Sequence, residues 1–220
     1  MRGMLAAPDL RERILRRFSG SRPVHEVLDP ERMRRLAPNF PKDPVPAAVL
    51  VPLVDRPEGL TVLLTQRASQ LARHAAQVSF PGGRLEPDDA DVASAALRET
   101  QEEIGLDPTH VRIFGYLPDH VVISGFRVTP VLGLVSPPFL LEPNPAEVAG
   151  VFEVPLTHVL DSANHKARLR RVGVAHAPSS FNMRTKVSSM LAVAPQIFWL
   201  SHGMSYSNTS SSPTRRSRAL

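Results

Sequence analysis

With 220 residues, a formal charge of +5 and 42% hydrophobic residues, the chain is long enough for one domain with a sizeable core and basic enough to suit anionic ligands. The absence of cysteine excludes disulfides, thiolate catalysis and cysteine-based zinc sites, and fits a cytoplasmic protein. No apolar run reaches the roughly 18 residues of a spanning helix, no apolar signal-type segment opens the chain, and few aromatics with no nucleic-acid motif point away from membranes and nucleic acids.

In chain order, Leu10, Ile14, Leu15 and Phe18 recur at helical spacing and predict an amphipathic helix over residues 10–18. Residues 30–36 suggest a second short helix, and the proline-rich stretch 38–46 a linker or wrapping loop. Residues 47–54 and 60–66 read as strands joined by a turn at 55–59, a hairpin. A loop and helix follow over residues 80–106. Residues 111–117 and 126–135 are further strands, Pro137 and Pro138 break the chain, and a strand over 151–154 precedes a short helix at 155–160. This order suits α/β packing around a mixed sheet. Residues 201–220, rich in Ser and Arg, have the composition of a disordered tail. The expected organisation is a helical and wrapping segment over 1–45, a main domain over 46–180 and an atypical, partly disordered segment over 181–220.

The chemistry concentrates in residues 80–106, FPGGRLEPDDADVASAALRETQEEIGL. At about 100° per residue, Glu102 and Glu103 fall roughly 60° and 40° to either side of Glu99, so the three carboxylates share one helical face. Ala93, Leu97, Thr100 and Ile104 form the expected core-facing stripe. Like charges at these spacings repel by roughly 0.2–0.5 kcal/mol per pair, a cost that a hard divalent cation offsets. Arg98 is placed to orient a carboxylate, and Gly105 followed by Leu106 reads as the helix stop.

Gly83, Arg98, Glu99, Glu102, Glu103, Gly105 and Leu106 make the segment resemble the Nudix box, G-x5-E-x7-R-E-U-x-E-E-x-G-U with U aliphatic. Asp89 stands at the first acidic position, eight rather than seven residues separate it from Arg98, and Thr100 takes an aliphatic place. The resemblance implies a Nudix-type α/β/α sandwich around a mixed β-sheet and metal-assisted hydrolysis of a nucleoside diphosphate derivative. It implies Mg²⁺ or Mn²⁺ on Glu99, Glu102 and Glu103, with a backbone carbonyl at Gly82 or Gly83 as a further ligand and Arg98 as an orienting residue. Glu103 is favoured as ligand and Glu99 as ligand or base, while Glu147 in the run NPAEV is a rival base.

The residues before the box, LLTQRA followed by RHAAQVSFPGG, are similar to the signature of the coenzyme A pyrophosphatase branch, LLTxR-[SA]-x3-R-x3-G-x3-FPGG. Ala72 stands where Arg is expected and Ala76 where Gly is expected, with Arg73 adjacent to the first. The resemblance implies cleavage of CoA to 3′-phosphoadenosine 5′-phosphate and 4′-phosphopantetheine, with a small-molecule nucleotide as the partner. Arg67, Arg73, His74 and Gln77 are the candidate substrate-binding residues, the arginines because their forks match phosphate oxygens. The glycine- and aromatic-rich ending of that branch has no counterpart in the last forty or so residues. Other nucleoside diphosphate derivatives, such as ADP-ribose or a dinucleotide, and a non-catalytic binding role remain alternatives.

Overall fold

Two apolar runs on either side of Pro57 and Glu58 form the middle of the sheet, β1 (Val45–Arg56) and β2 (Gly59–Arg67), paired antiparallel from Arg56 and Gly59 inward. The structure, a computed structural model, describes residues 7–23, 43–68, 77–122 and 125–164. The remaining strands are β3 (Val78–Ser79), β4 (Gly82–Arg84), β5 (Val111–Tyr116), β6 (His120–Val122), β7 (Phe126–Val135) and β8 (Val148–Pro155). The helices are α1 (Ala7–Phe18), α2 (Val92–Ile104) and α3 (Leu156–Leu160). The main path across the sheet is β3-β2-β1-β7-β5, with β4 beside β1, β6 beside β7 and β8 beside β2. β1 and β7 run parallel over ten matched residues, whereas the other pairs are antiparallel, so the sheet is mixed.

Side-chain alternation along β1 divides the core into two layers. Val51 and Leu53 pack with Leu10, Ile14 and Phe18 of α1 and with Leu156, Val159 and Leu160 of α3. Ala48 and Leu50, pointing the other way, pack with Ala95 and Ala96 of α2. Helices on both faces of the sheet give the α/β/α sandwich. Burying side chains of this size contributes about 1.5–3 kcal/mol each, so the mostly apolar strands β1 and β2 anchor both layers.

α2 is delimited by local chemistry. The Asp91 carboxylate accepts from the Ser94 N–H and hydroxyl at 2.8 Å each, capping the first turn. At the other end Gly105 takes φ 69°, and its N–H donates to the Gln101 carbonyl. The Ile104 and Glu103 carbonyls accept from the N–H groups of Glu142 and Asn144 at 2.8 and 2.9 Å. The loop between β7 and β8 therefore satisfies the last turn of α2.

Three details differ from the expected elements. Gly82 and Gly83 lie in strand β4 against β1 rather than in a free turn. A Cβ at Gly82 would overlap the Ala48 carbonyl, so a glycine there lets two backbones approach. The buried stripe of α2 is Ala95, Ala96, Thr100, Glu103 and Ile104, while Ala93 and Leu97 are only half-buried. Small alanines let this side of the helix come close to the sheet, which draws Glu103 into the interior. The short strands β3 and β6 carry too few residues to show a period in sequence. The helix expected at 30–36, most of the loop at 38–46 and the segment 181–220 with its Ser-rich end lie outside the described residues.

Candidate active site

The three glutamates of α2 occupy graded environments, with side-chain exposures of 7% for Glu103, 18% for Glu99 and 60% for Glu102. Glu103 Oε2 accepts from the Gly82 N–H at 3.2 Å, and Glu103 Oε1 lies 3.8 Å from Arg67 Nη1. Burial pushes the Glu103 carboxyl up to about 7; the Gly82 N–H and Arg67 oppose that rise, and the charges of Glu147 and Glu99 add to it. Burial also raises Glu99, with Arg98 opposing and Glu102 and Glu147 adding. The Glu99 carboxylate rests on Gly83 so closely that a Cβ there would occupy its place.

Arg98 ties the box together. Its Nε and Nη2 donate to the two Asp89 oxygens at 3.0 Å each, and Nη2 also donates to the Arg84 carbonyl at 3.1 Å. Its Nη1 reaches Glu99 Oε1 and Glu102 Oε2, both at 3.2 Å. The two-pronged contact with Arg98, followed by the Glu86 N–H, holds the Asp89 carboxyl below its ordinary range. Asp89 thus pairs with Arg98 despite its shorter side chain and the extra intervening residue.

Arg67 and Glu147 arrive from the other side. The β2–β8 ladder shifts register between Gln66 and Arg67, an irregularity of the kind that re-aims a side chain, and Arg67 points to Glu103. The Glu147 carbonyl accepts from the Ala68 N–H at 2.8 Å, and its charge bears on both Glu99 and Glu103. The structure therefore brings together Gly82, Arg98, Glu99, Glu102, Glu103, Arg67 and Glu147. The Gln77 carbonyl accepts from the Arg67 N–H at 2.8 Å, which seats Gln77 beside the same strand end. Arg73 and His74 lie outside the described residues. Asn144 was not among the expected site residues; its signal in the sequence is its place before a proline, three residues ahead of Glu147.

The donors suit a hard divalent ion, being carboxylate and backbone oxygens with no competing thiolate. Two observations support that fit: a buried carboxyl pressed by neighbouring acids, and a glycine cradle filled by the Glu99 carboxylate. Among the described residues no group of three acidic or histidine side chains is spaced to hold a metal ion as it stands. Arg98 takes up oxygens of Glu99 and Glu102, while the Gly82 N–H takes up one of Glu103.

A sequence model of the NUDIX domain matches residues 44–173, and the chain belongs to the Nudix family. It is similar to proteins described as the uncharacterized Nudix hydrolase NudL, from Yersinia pestis (strain Pestoides F) and Yersinia pseudotuberculosis serotype O:1b (strain IP 31758). Each is 45% identical over 131 residues, which cover 59% of this chain and 65% of the relative. The chain thus spans about 65% of the length of these curated relatives. Among solved structures, a Nudix hydrolase from M. smegmatis, RenU, aligns with a TM-score of 0.45 at 24% identity, over 53% of this chain and 74% of that one. A C. elegans Ap4A hydrolase in a binary complex aligns with a TM-score of 0.44 at 21% identity, over 50% and 80% of the two chains.

Proposed function

We propose that the chain is a Mg²⁺- or Mn²⁺-dependent pyrophosphohydrolase that cleaves coenzyme A or its thioesters. The products are 3′-phosphoadenosine 5′-phosphate and 4′-phosphopantetheine or its acyl derivative. The observation that carries the hydrolase reading is the buried Glu103 carboxylate, set beside Glu99 on the Gly82-Gly83 strand and facing Arg67. The substrate follows from the sequence around Arg67 and Phe80, which keeps most of the coenzyme A signature and departs from it at Ala72 and Ala76.

Glu99, Glu102 and Glu103, with the Gly82 carbonyl, would hold the cation. Such an ion would supply charge neutralisation at the pyrophosphate and activation of the attacking water. Glu99 or Glu147 accepts the proton of the attacking water, whose oxygen forms a new bond to phosphorus as the bridging P–O bond breaks. Arg67 holds a phosphate oxygen, and Arg73, His74 and Gln77 contribute to binding the rest of the nucleotide. Arg98 orients Glu99 and Glu102 and fixes the acidic loop to the helix.

The test is product analysis by mass spectrometry over CoA, acetyl-CoA, ADP-ribose and NADH with Mg²⁺ or Mn²⁺. CoA or its thioester is expected to give the highest kcat/KM and the two named phosphorylated products. A large preference for ADP-ribose or NADH would assign the site to another nucleoside diphosphate derivative. A folded protein that turns over none of them would be a Nudix-fold binding protein instead.

A further inference from the structure

The loop that carries Glu147 is joined to the end of α2 by two backbone N–H groups, those of Glu142 and Asn144, and Asn144 also folds the turn that follows. The Asn144 N–H donates to the Glu103 carbonyl at 2.9 Å. Its side-chain Oδ1 accepts from the Ala146 N–H at 3.1 Å, and its own carbonyl accepts from the N–H groups of Glu147 and Val148 at 3.0 and 2.8 Å. Glu147 is clamped from its other side by the Ala68 N–H, one residue beyond Arg67. The exposed Glu147 side chain thus leaves a backbone fixed at both flanks, one leading to Glu103 and the other to Arg67.

We propose that Asn144 is a positioning residue: by folding the turn of residues 144–147 onto the last turn of α2, it holds the Glu147 carboxylate toward Glu99 and Glu103. The physical basis is local. An asparagine Oδ1 that accepts from a backbone N–H two residues on stabilises a turn that alanine does not. The hydrogen bond from the Asn144 backbone N–H to the Glu103 carbonyl does not depend on the side chain, so truncation loosens the turn without releasing α2. Glu147 strengthens cation binding at Glu99 and Glu103 through its charge, whether it ligates directly or acts across a short gap. The proposal rests on those two glutamates being cation-holding groups and is independent of which nucleotide is hydrolysed.

The experiment is a double-mutant cycle on the full chain, read by isothermal titration with Mn²⁺ alone and by thermal melting. Asn144→Ala is expected to weaken Mn²⁺ binding by about tenfold, the scale of outer-shell positioning groups. Asn144→Asp, which keeps the acceptor oxygen, is expected to bind at or above the native affinity. With Glu147→Gln already present, adding Asn144→Ala is expected to change affinity by less than about twofold, because the group it positions has lost its charge. Melting that shifts with no change in Mn²⁺ affinity would reduce Asn144 to a structural residue and overturn the proposal. An equal loss of affinity in the Glu147→Gln background would overturn it too, since Asn144 would then act through something else. If the native chain fails to bind Mn²⁺, the cation role of Glu99 and Glu103 falls and takes the proposal with it. Failure to hydrolyse CoA with the cycle intact would reject the substrate alone.

Discussion

Glu103 combines two properties that pull against each other, a place in the core-facing stripe of α2 and a carboxyl group close to other acids. Burial raises it from an ordinary value of 4.5 to about 7, so the native state holds its proton more tightly than the unfolded chain does. Its contribution to stability is therefore complete below the lower value and is lost as pH rises through the upper one. In the absence of divalent ions, the melting temperature is expected to fall between about pH 5 and about pH 8, and Glu103→Gln is expected to flatten that fall. Parallel pH profiles for the two proteins would show that Glu103 carries no such burden. Gly83 offers a second test, because a methyl group there would displace the Glu99 carboxylate. Gly83→Ala is expected to reduce turnover by about a hundredfold while changing stability far less, and kcat with melting data will separate the two effects. The three glutamates and Arg98 were legible in sequence because helical spacing alone places them together. Their unequal burial was not, because it depends on which side of α2 the sheet approaches. The aim of Arg67 at Glu103 and the docking of the Asn144 N–H on the Glu103 carbonyl depend on long-range contacts among β2, β8 and α2, which spacing does not reveal.

At the level of the element, α2 is begun by Asp91 and ended by Gly105. Asp91→Ala removes the acceptor for the Ser94 N–H and is expected to cost about 1 kcal/mol in urea unfolding, with little change in kcat. A loss of activity out of proportion to stability would mean that the cap also sets the position of the acidic loop. Thr100 fills a buried place where the family pattern has an aliphatic residue, and its hydroxyl donates to the Ala96 carbonyl at 2.6 Å. The one-turn-back bond supplies a partner for the buried hydroxyl, which explains how a polar residue is tolerated there. The helix and its stop were readable from Gly105 and the acidic run. The strand made by Gly82–Arg84 was not, since glycines read locally as turn formers and reveal a close backbone approach only when β1 is in place.

For the molecule as a whole, two helical layers share one sheet, and α1 belongs fully to one of them. Ile14 is 1% exposed and packs among side chains of α1, the sheet and α3. Ile14→Ala is expected to lower the unfolding free energy by about 2–5 kcal/mol, measured by denaturant titration, although α1 is remote in sequence from the candidate site. A cost below about 0.5 kcal/mol would show that α1 is not part of the cooperative unit. The hairpin of β1 and β2, the long strand β7 and the closing strand and helix were all legible, because each is a strong apolar run between turn signals. The parallel pairing of β1 with β7 was not, for it joins segments about eighty residues apart and leaves no local mark. The most direct test of the central claim is a Mn²⁺ titration of the native chain against Glu99→Gln, Glu102→Gln and Glu103→Gln. Saturable binding that weakens at least about tenfold on substituting Glu99 or Glu103, and less at exposed Glu102, is the expected result. An identical isotherm for all four proteins, or no binding by any, would contradict it.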